Sequence, residues 1–190
     1  MVSVISSPML KTYTLEEFWK LPEPKDGTKL ELIAGVLYMT PPPEYTHDNA
    51  VARLLRILPL HLASRNHKGN LYVPRAAIWT GAHTYLEPDL FYVSAELEAR
   101  MQPGHRTSAD LVIEVISPGS AIYDRNTKAE TYGALGVREL WLIDETSGTV
   151  EVRYKRGKGF GKKTIFKKGQ RLASRIFPDL QRRVDELFLD

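Results

Sequence analysis

One stretch constrains the fold of this chain more than any other: Asp110-Leu-Val-Ile-Glu114-Val-Ile-Ser-Pro118. Apolar, largely β-branched residues flank Glu114 on both sides, and Ser117-Pro118-Gly119 stops the run. Such a run reads as a strand over 110–116 with both faces covered. Alternation puts Glu114 on one face with Val112 and Ile116, opposite Ile113 and Val115. A carboxylate there is expensive to bury unless a cation or a metal pairs with it.

The segment after this strand supplies a candidate partner. A helix is expected over 124–135, closed by Gly136. Asp124, Lys128 and Tyr132 recur at i, i+4 and i+8, which is one stripe of that helix. A second buried strand at 138–144 completes a parallel βαβ unit. Lys128 is then either half of a solvated Asp–Lys pair or a neighbour of Glu114.

The remaining elements follow in order. Thr14 and Glu17 form a capping box, with Tyr13 and Phe18 at staple positions, so a short helix starts at 14 and ends by Pro22. Residues 29–40 read as two strands bent at Ala34-Gly35, with Glu31 on the first, sharing a face with Ile33. Glu31 there faces either solvent or a polar site. From 46 to 66, Ala50, Val51, Leu54, Leu55, Leu58 and Leu62 mark one helical face, with a kink or break expected at Pro59. His47 stands at the start of this pattern, just before the helix counted from 48, as a helix-start residue or a site residue.

Strands are expected at 70–80 and 85–93. Pro88 makes the second an edge, a bulge or a strand start, so Asp89 is a surface residue or is aimed into a site. A short helix at 94–101, a hairpin from strands at 149–155 and 162–173, and a final amphipathic helix from Phe177-Pro178 complete the pattern. Leu180, Val184 and Leu187 form the apolar face of that last helix. The expected fold is α/β, a central mixed β-sheet flanked by α-helices, with the acidic site at one sheet edge. All 190 residues are expected in one domain: an N-terminal arm at 1–11, a core at 12–155, and the C-terminal hairpin and helix at 156–190.

Several chemistries are excluded or disfavoured. There is no Cys, hence no disulfide, thiolate zinc site or Cys nucleophile, and a reducing compartment is favoured. No GxGxxG, P-loop, GxSxG or HExxH motif occurs. His61, His67, His83 and His105 show no ligand spacing. The start of the chain does not resemble a signal peptide, and no apolar run approaches a membrane span, so a cytoplasmic protein without membrane contact is expected. The net charge of +3 is concentrated in 153–168, which holds eight Lys/Arg and no acid. That tract either grips a nucleic-acid backbone or is a solvated hairpin tip.

These residues, in this order, resemble the Uma-two family of endonucleases, within the PD-(D/E)XK restriction-endonuclease-like superfamily. The resemblance rests on Glu31-Leu-Ile-Ala-Gly35, His47, Pro88-Asp89-Leu90, Asp110 to Pro118, Asp124, Lys128, Tyr132, and Glu139-Leu-Trp141-Leu-Ile-Asp144, and covers about 12–155. It implies a metal-dependent DNA endonuclease. Asp89 and Glu114 would ligate Mg²⁺ or Mn²⁺. Lys128 would orient water or stabilise charge, and Glu31 would be a further catalytic group, as another metal ligand or as an orienter of the ligands. His47, Asp124 and Tyr132 would contact substrate or support the ligands. The superfamily's Lys two residues after the Glu is Ile116 here, and Lys128 takes its place from the helix, as in other family members. DNA is the implied partner and a homodimer is plausible. The alternatives are a catalytically inactive nuclease-fold module that binds nucleic acid or protein, and a structural protein in which Glu114 and Lys128 form a buried ion pair.

Overall fold

A computed structural model describes residues 11–117 and 121–188. The expected arm at 1–11 lies, apart from Lys11, outside the described residues, as do residues 118–120.

Helix α1 (Leu15–Phe18) begins with the expected capping box, in which the Glu17 amide donates to the Thr14 hydroxyl and the Thr14 amide to the Glu17 carboxylate. Strands β1 (Lys29–Ile33) and β2 (Val36–Thr40) form a hairpin. Ala34 (φ 49°) and Gly35 (φ 82°) both take the left-handed turn geometry that tight hairpins require. Helix α2 (Tyr45–Ser64) continues through Pro59, so the break that was one of the two expectations there does not occur. Proline removes a single helical hydrogen bond. Buried side chains on both sides, Leu58 and His61, continue the packed face across it.

The next stretch departs most from the sequence reading. The expected strand at 70–80 is two strands, β3 (Gly69–Tyr72) and β4 (Ile78–Thr80). The expected strand at 85–93 is also two, β5 (Thr84–Leu86) and β6 (Leu90–Ser94). Pro74 and Arg75 (φ 75°) interrupt the first, and Glu87-Pro88-Asp89 the second. At each interruption the chain changes sheet. β4 and β5 join a four-stranded sheet in the order β2-β1-β5-β4, while β3 and β6 belong to the larger sheet. Pro88 cannot donate a ladder hydrogen bond, which suits a crossing point. Asp89 therefore sits where the two sheets meet.

Ser94 caps the short α3 (Ala95–Glu98), and β7 (Leu111–Ile116) follows, buried at every position. Then α4 (Ala121–Tyr123), a π-turn (Asp124–Lys128) and α5 (Ala129–Ala134) run on as one helix, closed by Gly136 at φ 91°. Strand β8 (Glu139–Asp144) pairs parallel to β7, giving the expected βαβ unit. β9 (Thr149–Arg156), β10 (Gly159–Phe160) and β11 (Thr164–Lys167) finish the large sheet in the order β10-β9-β8-β7-β6-β3, with β11 also on β9. Every pairing besides β7–β8 is antiparallel, so the sheet is mixed. Glu114 lies on a central strand, not at the sheet edge where the acidic site was expected.

The final helix is also absent in its expected form. Only Val184–Leu187 is helical, as a single 3₁₀ turn. The Leu172 amide donates to Arg182 O and the Val184 amide to Gln170 O, so this segment bonds across the chain instead of along a helix. Leu180, Val184 and Leu187 are nonetheless buried.

The two faces of β7 decide the layers. Ile113 and Val115 pack on Ala50, Val51, Leu54 and Leu58 of α2. Val112 and Ile116 pack on Ala129 and Tyr132 of α5, with Ile33, Ile78 and Leu86 of the small sheet in the same cluster. Helices thus cover both faces of the large sheet. No helix of the described residues is long and apolar enough to cross a membrane.

Candidate active site

Glu114 points to the α5 side, as alternation requires, and is fully enclosed there. Its Oε1 accepts from Lys128 Nζ at 3.1 Å and from the Tyr132 hydroxyl at 2.5 Å. Lys128 reaches two further acids, Glu31 Oε2 at 3.0 Å and Asp124 Oδ1 at 3.4 Å. All five side chains are buried. Three carboxylates around the buried ammonium hold Lys128's proton tightly. Burial opposes its charge, but Glu114, Glu31, Asp124 and Asp89 outweigh that, and its pKa lies well above the usual lysine value.

The local structure explains the convergence. Asp124, Lys128 and Tyr132 form the stripe read from the sequence, and all three face β7. The intervening π-turn brings a residue five positions from Lys128 onto the same side: the Tyr123 ring lies under the Lys128 ammonium, 5.4 Å from its centroid. Such turns concentrate at functional sites. Glu31 arrives from β1. It shares a face with Ile33, which packs in the Tyr132 cluster, and its Oε1 accepts from the Glu87 amide at 2.9 Å. The solvent-facing reading of Glu31 does not hold, since it has no exposed surface.

Asp89 stands at the sheet crossing. Its Oδ2 accepts from the Val115 amide at 2.8 Å and lies 3.1 Å from His47 Nε2. Its Oδ1 is 3.9 Å from Lys29 Nζ. Burial resists ionisation of Asp89, yet the His47 hydrogen bond and the charges of Lys29, His47 and Lys128 prevail and lower its pKa to about 2. His47 shows the reciprocal effect: burial pushes its pKa down, but Asp89 and Asp48 together raise it above the usual histidine value. Glu114 behaves oppositely to Asp89. Burial, with help from Asp89 and Asp124, overcomes Lys128 and raises it to about 7.

Asp89, Glu114, Lys128, His47 and Asp124 all line one cleft of about 520 Å³. Glu31 and Tyr132 stand behind it, in contact with Lys128 and Glu114. The cleft also contains residues that the sequence reading missed. Lys29 is two positions from Glu31, hence on its face of β1, a signal that was available. Tyr38 and Tyr123 stack at 4.5 Å, and the buried Tyr123 hydroxyl has no hydrogen-bond partner among the described residues. Tyr123 depends on the π-turn, which left no sequence signal. The basic tract 153–168 contributes nothing to the cleft lining. Arg153 and Lys163 are bound to Glu151, and Lys155 donates to Gly133 O.

A mixed sheet covered by helices on both faces, with a buried acidic and lysine cluster at a cleft beside its central strand, is a restriction-endonuclease-like nuclease fold. The chain belongs to the Uma2 family, described as "Putative restriction endonuclease", whose model matches residues 15–185. A curated relative is "Uncharacterized protein sll1609" of Synechocystis, 26% identical over 126 residues, which cover 65% of this chain and 70% of that protein. Among solved structures, a chain from Anabaena variabilis described as a "putative nuclease belonging to DUF820" matches with a TM-score of 0.75 at 21% identity. The match covers 92% of this chain and 97% of that one, and bears on the fold alone.

Proposed function

We propose that this protein is a divalent-metal-dependent endonuclease that hydrolyses DNA phosphodiester bonds. The observation that carries this reading is the Lys128–Glu114 contact in a cleft that Asp89 also lines. One oxygen of each carboxylate is committed: Glu114 Oε1 to Lys128 and Tyr132, Asp89 Oδ2 to Val115 and His47. The other oxygen of each is a hard donor suited to Mg²⁺ or Mn²⁺, which bind few carboxylates and retain waters. A cation held by Asp89 and Glu114 would supply an acidified water and neutralise phosphate charge.

The chain's own groups divide the remaining work. Lys128 holds its proton too firmly to act as a base, so its role is a fixed positive charge toward the phosphate or the attacking water. Glu31 and Asp124 hold the Lys128 ammonium in place. Tyr132 fixes the Glu114 rotamer. His47 orients Asp89, and its proton competes with a metal there. Two such sites in a homodimer would cut both strands, and the setting we infer is the cytoplasm.

The test is nicking of supercoiled plasmid by the purified chain with Mg²⁺ or Mn²⁺. Cleavage should vanish with EDTA, in Asp89→Asn and in Lys128→Met. Cleavage that survives Asp89→Asn rules out this site. A second reading has one observation in its favour: Lys128 already pairs with three carboxylates, as in a structural ion-pair cluster. A catalytically inactive module of that kind would show no Mn²⁺-dependent thermal shift that Glu114→Gln abolishes.

A further inference from the structure

A second cluster of ligand-type side chains lies away from the cleft. His61 is in the last turn of α2, and His67 follows the helix after Asn66 (φ 53°) turns the chain. Asp179 comes from the C-terminal segment. His61 Nε2 is 3.2 Å and His67 Nε2 3.3 Å from the same atom, Asp179 Oδ1. None of the three lines the cleft. Sequence spacing gave no hint of this site, because its third member is over a hundred residues away.

The geometry suits a metal. Bonds of about 2.0–2.1 Å in a tetrahedral site put adjacent ligand atoms roughly 3.3 Å apart, as both N···O separations here are. All three ligand atoms lie within 4.8 Å of one another. A second observation is independent of that spacing. His61 is 8% exposed, and its buried Nε2 makes no properly aligned hydrogen bond to any described residue. A buried ring nitrogen that contacts a carboxylate without hydrogen-bond alignment can present its lone pair to a metal. The rings are held in place: Phe177 packs edge-on against both imidazoles, at 5.5 and 5.2 Å. Arg65 Nε, 3.4 Å from Asp179 Oδ2, holds the other carboxylate oxygen and leaves Oδ1 to the histidines, although its charge weakens cation binding.

We propose that His61, His67 and Asp179 bind a borderline divalent transition metal, zinc foremost, which clips the C-terminal segment onto the end of α2. Two imidazoles and one carboxylate select zinc-like ions over Mg²⁺. The Asp179 side chain is 36% exposed, so water can fill the fourth position. The clip ties down the segment that carries Phe177 and Leu180, both buried in the α2 core. A metal that binds only the folded chain raises its melting temperature by mass action.

The test uses the full chain stripped with EDTA and titrated with ZnCl₂ alone in thermal melts. CoCl₂ serves as a spectroscopic probe, because four-coordinate cobalt absorbs strongly in the visible. Melting temperature should rise with zinc, and cobalt bands should appear at about one equivalent. His67→Ala and Asp179→Asn should each weaken zinc binding at least tenfold, while Asp89→Asn leaves it unchanged. Both altered side chains are partly exposed, and circular dichroism verifies that the variants fold. Absence of both signals in the parent chain overturns the proposal. So does zinc binding that survives His67→Ala and is lost in Asp89→Asn, which would place the ion in the cleft. Neither outcome bears on Mg²⁺-dependent cleavage, so the two proposals fail separately.

Discussion

Lys128 Nζ lies 3.1 Å from Glu114 Oε1 and 3.0 Å from Glu31 Oε2, although Lys128 comes from a helix and the two acids from different sheets. The strand offers Glu114 no cation of its own on that face, because Ile116, two residues on, is apolar. Its burial changes what a stability measurement can decide. Removing it strands three buried carboxylates whether or not it takes part in chemistry.

Lys128→Ala should therefore lower stability by about 3–5 kcal/mol as well as abolish cleavage. Adding Glu31→Gln to that variant should restore part of the loss, because it removes one stranded charge. Urea unfolding of the two single variants and the double variant measures this coupling. Strictly additive losses would show that the two groups do not share a network.

Tyr132→Phe removes one hydroxyl and leaves the ring packed. The lost bond is to a carboxylate that is charged only above its raised pKa of about 7, so a cost of about 1.5–3 kcal/mol is expected on the alkaline side of that value. Without that donor the Glu114 carboxylate is less stabilised and its pKa rises further. Mn²⁺ affinity should fall in step, as measured by calorimetric titration at pH 7. An unchanged affinity would mean that the hydroxyl serves packing alone.

Glu114 also sets a pH dependence in metal-free protein. Its folded pKa, about 7, is above the ordinary value of 4.5, so the folded state binds this proton more tightly than the unfolded state. The resulting stabilisation is fully present below pH 4.5 and is lost as pH rises to about 7. Relative to Glu114→Gln, the parent chain should lose about 1–3 kcal/mol across that window. Glu87, raised by burial, and His47, raised by Asp89, drift in the same direction, but both are common to the two proteins and cancel in the difference. Chemical unfolding at several pH values in EDTA gives that difference, and a flat one would show that Glu114 is ionised throughout.

Much of this site was legible because it is local. The strand 110–116, the 124/128/132 stripe and the Glu31–Ile33 alternation are periodicities, and periodicity fixes which side chains share a face. What was not legible depends on contacts between distant segments. Glu87-Pro88-Asp89 reads as part of a strand, and only the presence of two sheets makes it a crossing. The final helix failed because the Val184 amide found Gln170 O and the Arg182 carbonyl found the Leu172 amide. Nor was burial of an acid decisive. Asp110, Glu139 and Glu151 are as enclosed as Glu114, but Asp110 is held by Arg138 and the Ser94 amide, and Glu151 by Arg153 and Lys163. Glu114 differs in its partners, which open onto a cleft.

Glu139 makes that contrast testable. It has no exposed surface, and it accepts from Trp141 Nε1 at 2.6 Å and from the amides of Arg175 and Ile176 at 2.7 and 3.1 Å. All three donors are structural, and none lies in the cleft. Glu139→Ala leaves an indole and two amides without their acceptor, at about 1–3 kcal/mol for each one that water does not reach. A large drop in melting temperature is expected, with cleavage retained at temperatures where the variant is folded. Asp89→Asn should do the reverse, losing cleavage while the fold survives. Comparing the two in the same assay separates a carboxylate that holds the sheet together from one that acts on substrate. Loss of cleavage in fully folded Glu139→Ala would mean that the 175–176 backbone it anchors helps to shape the site.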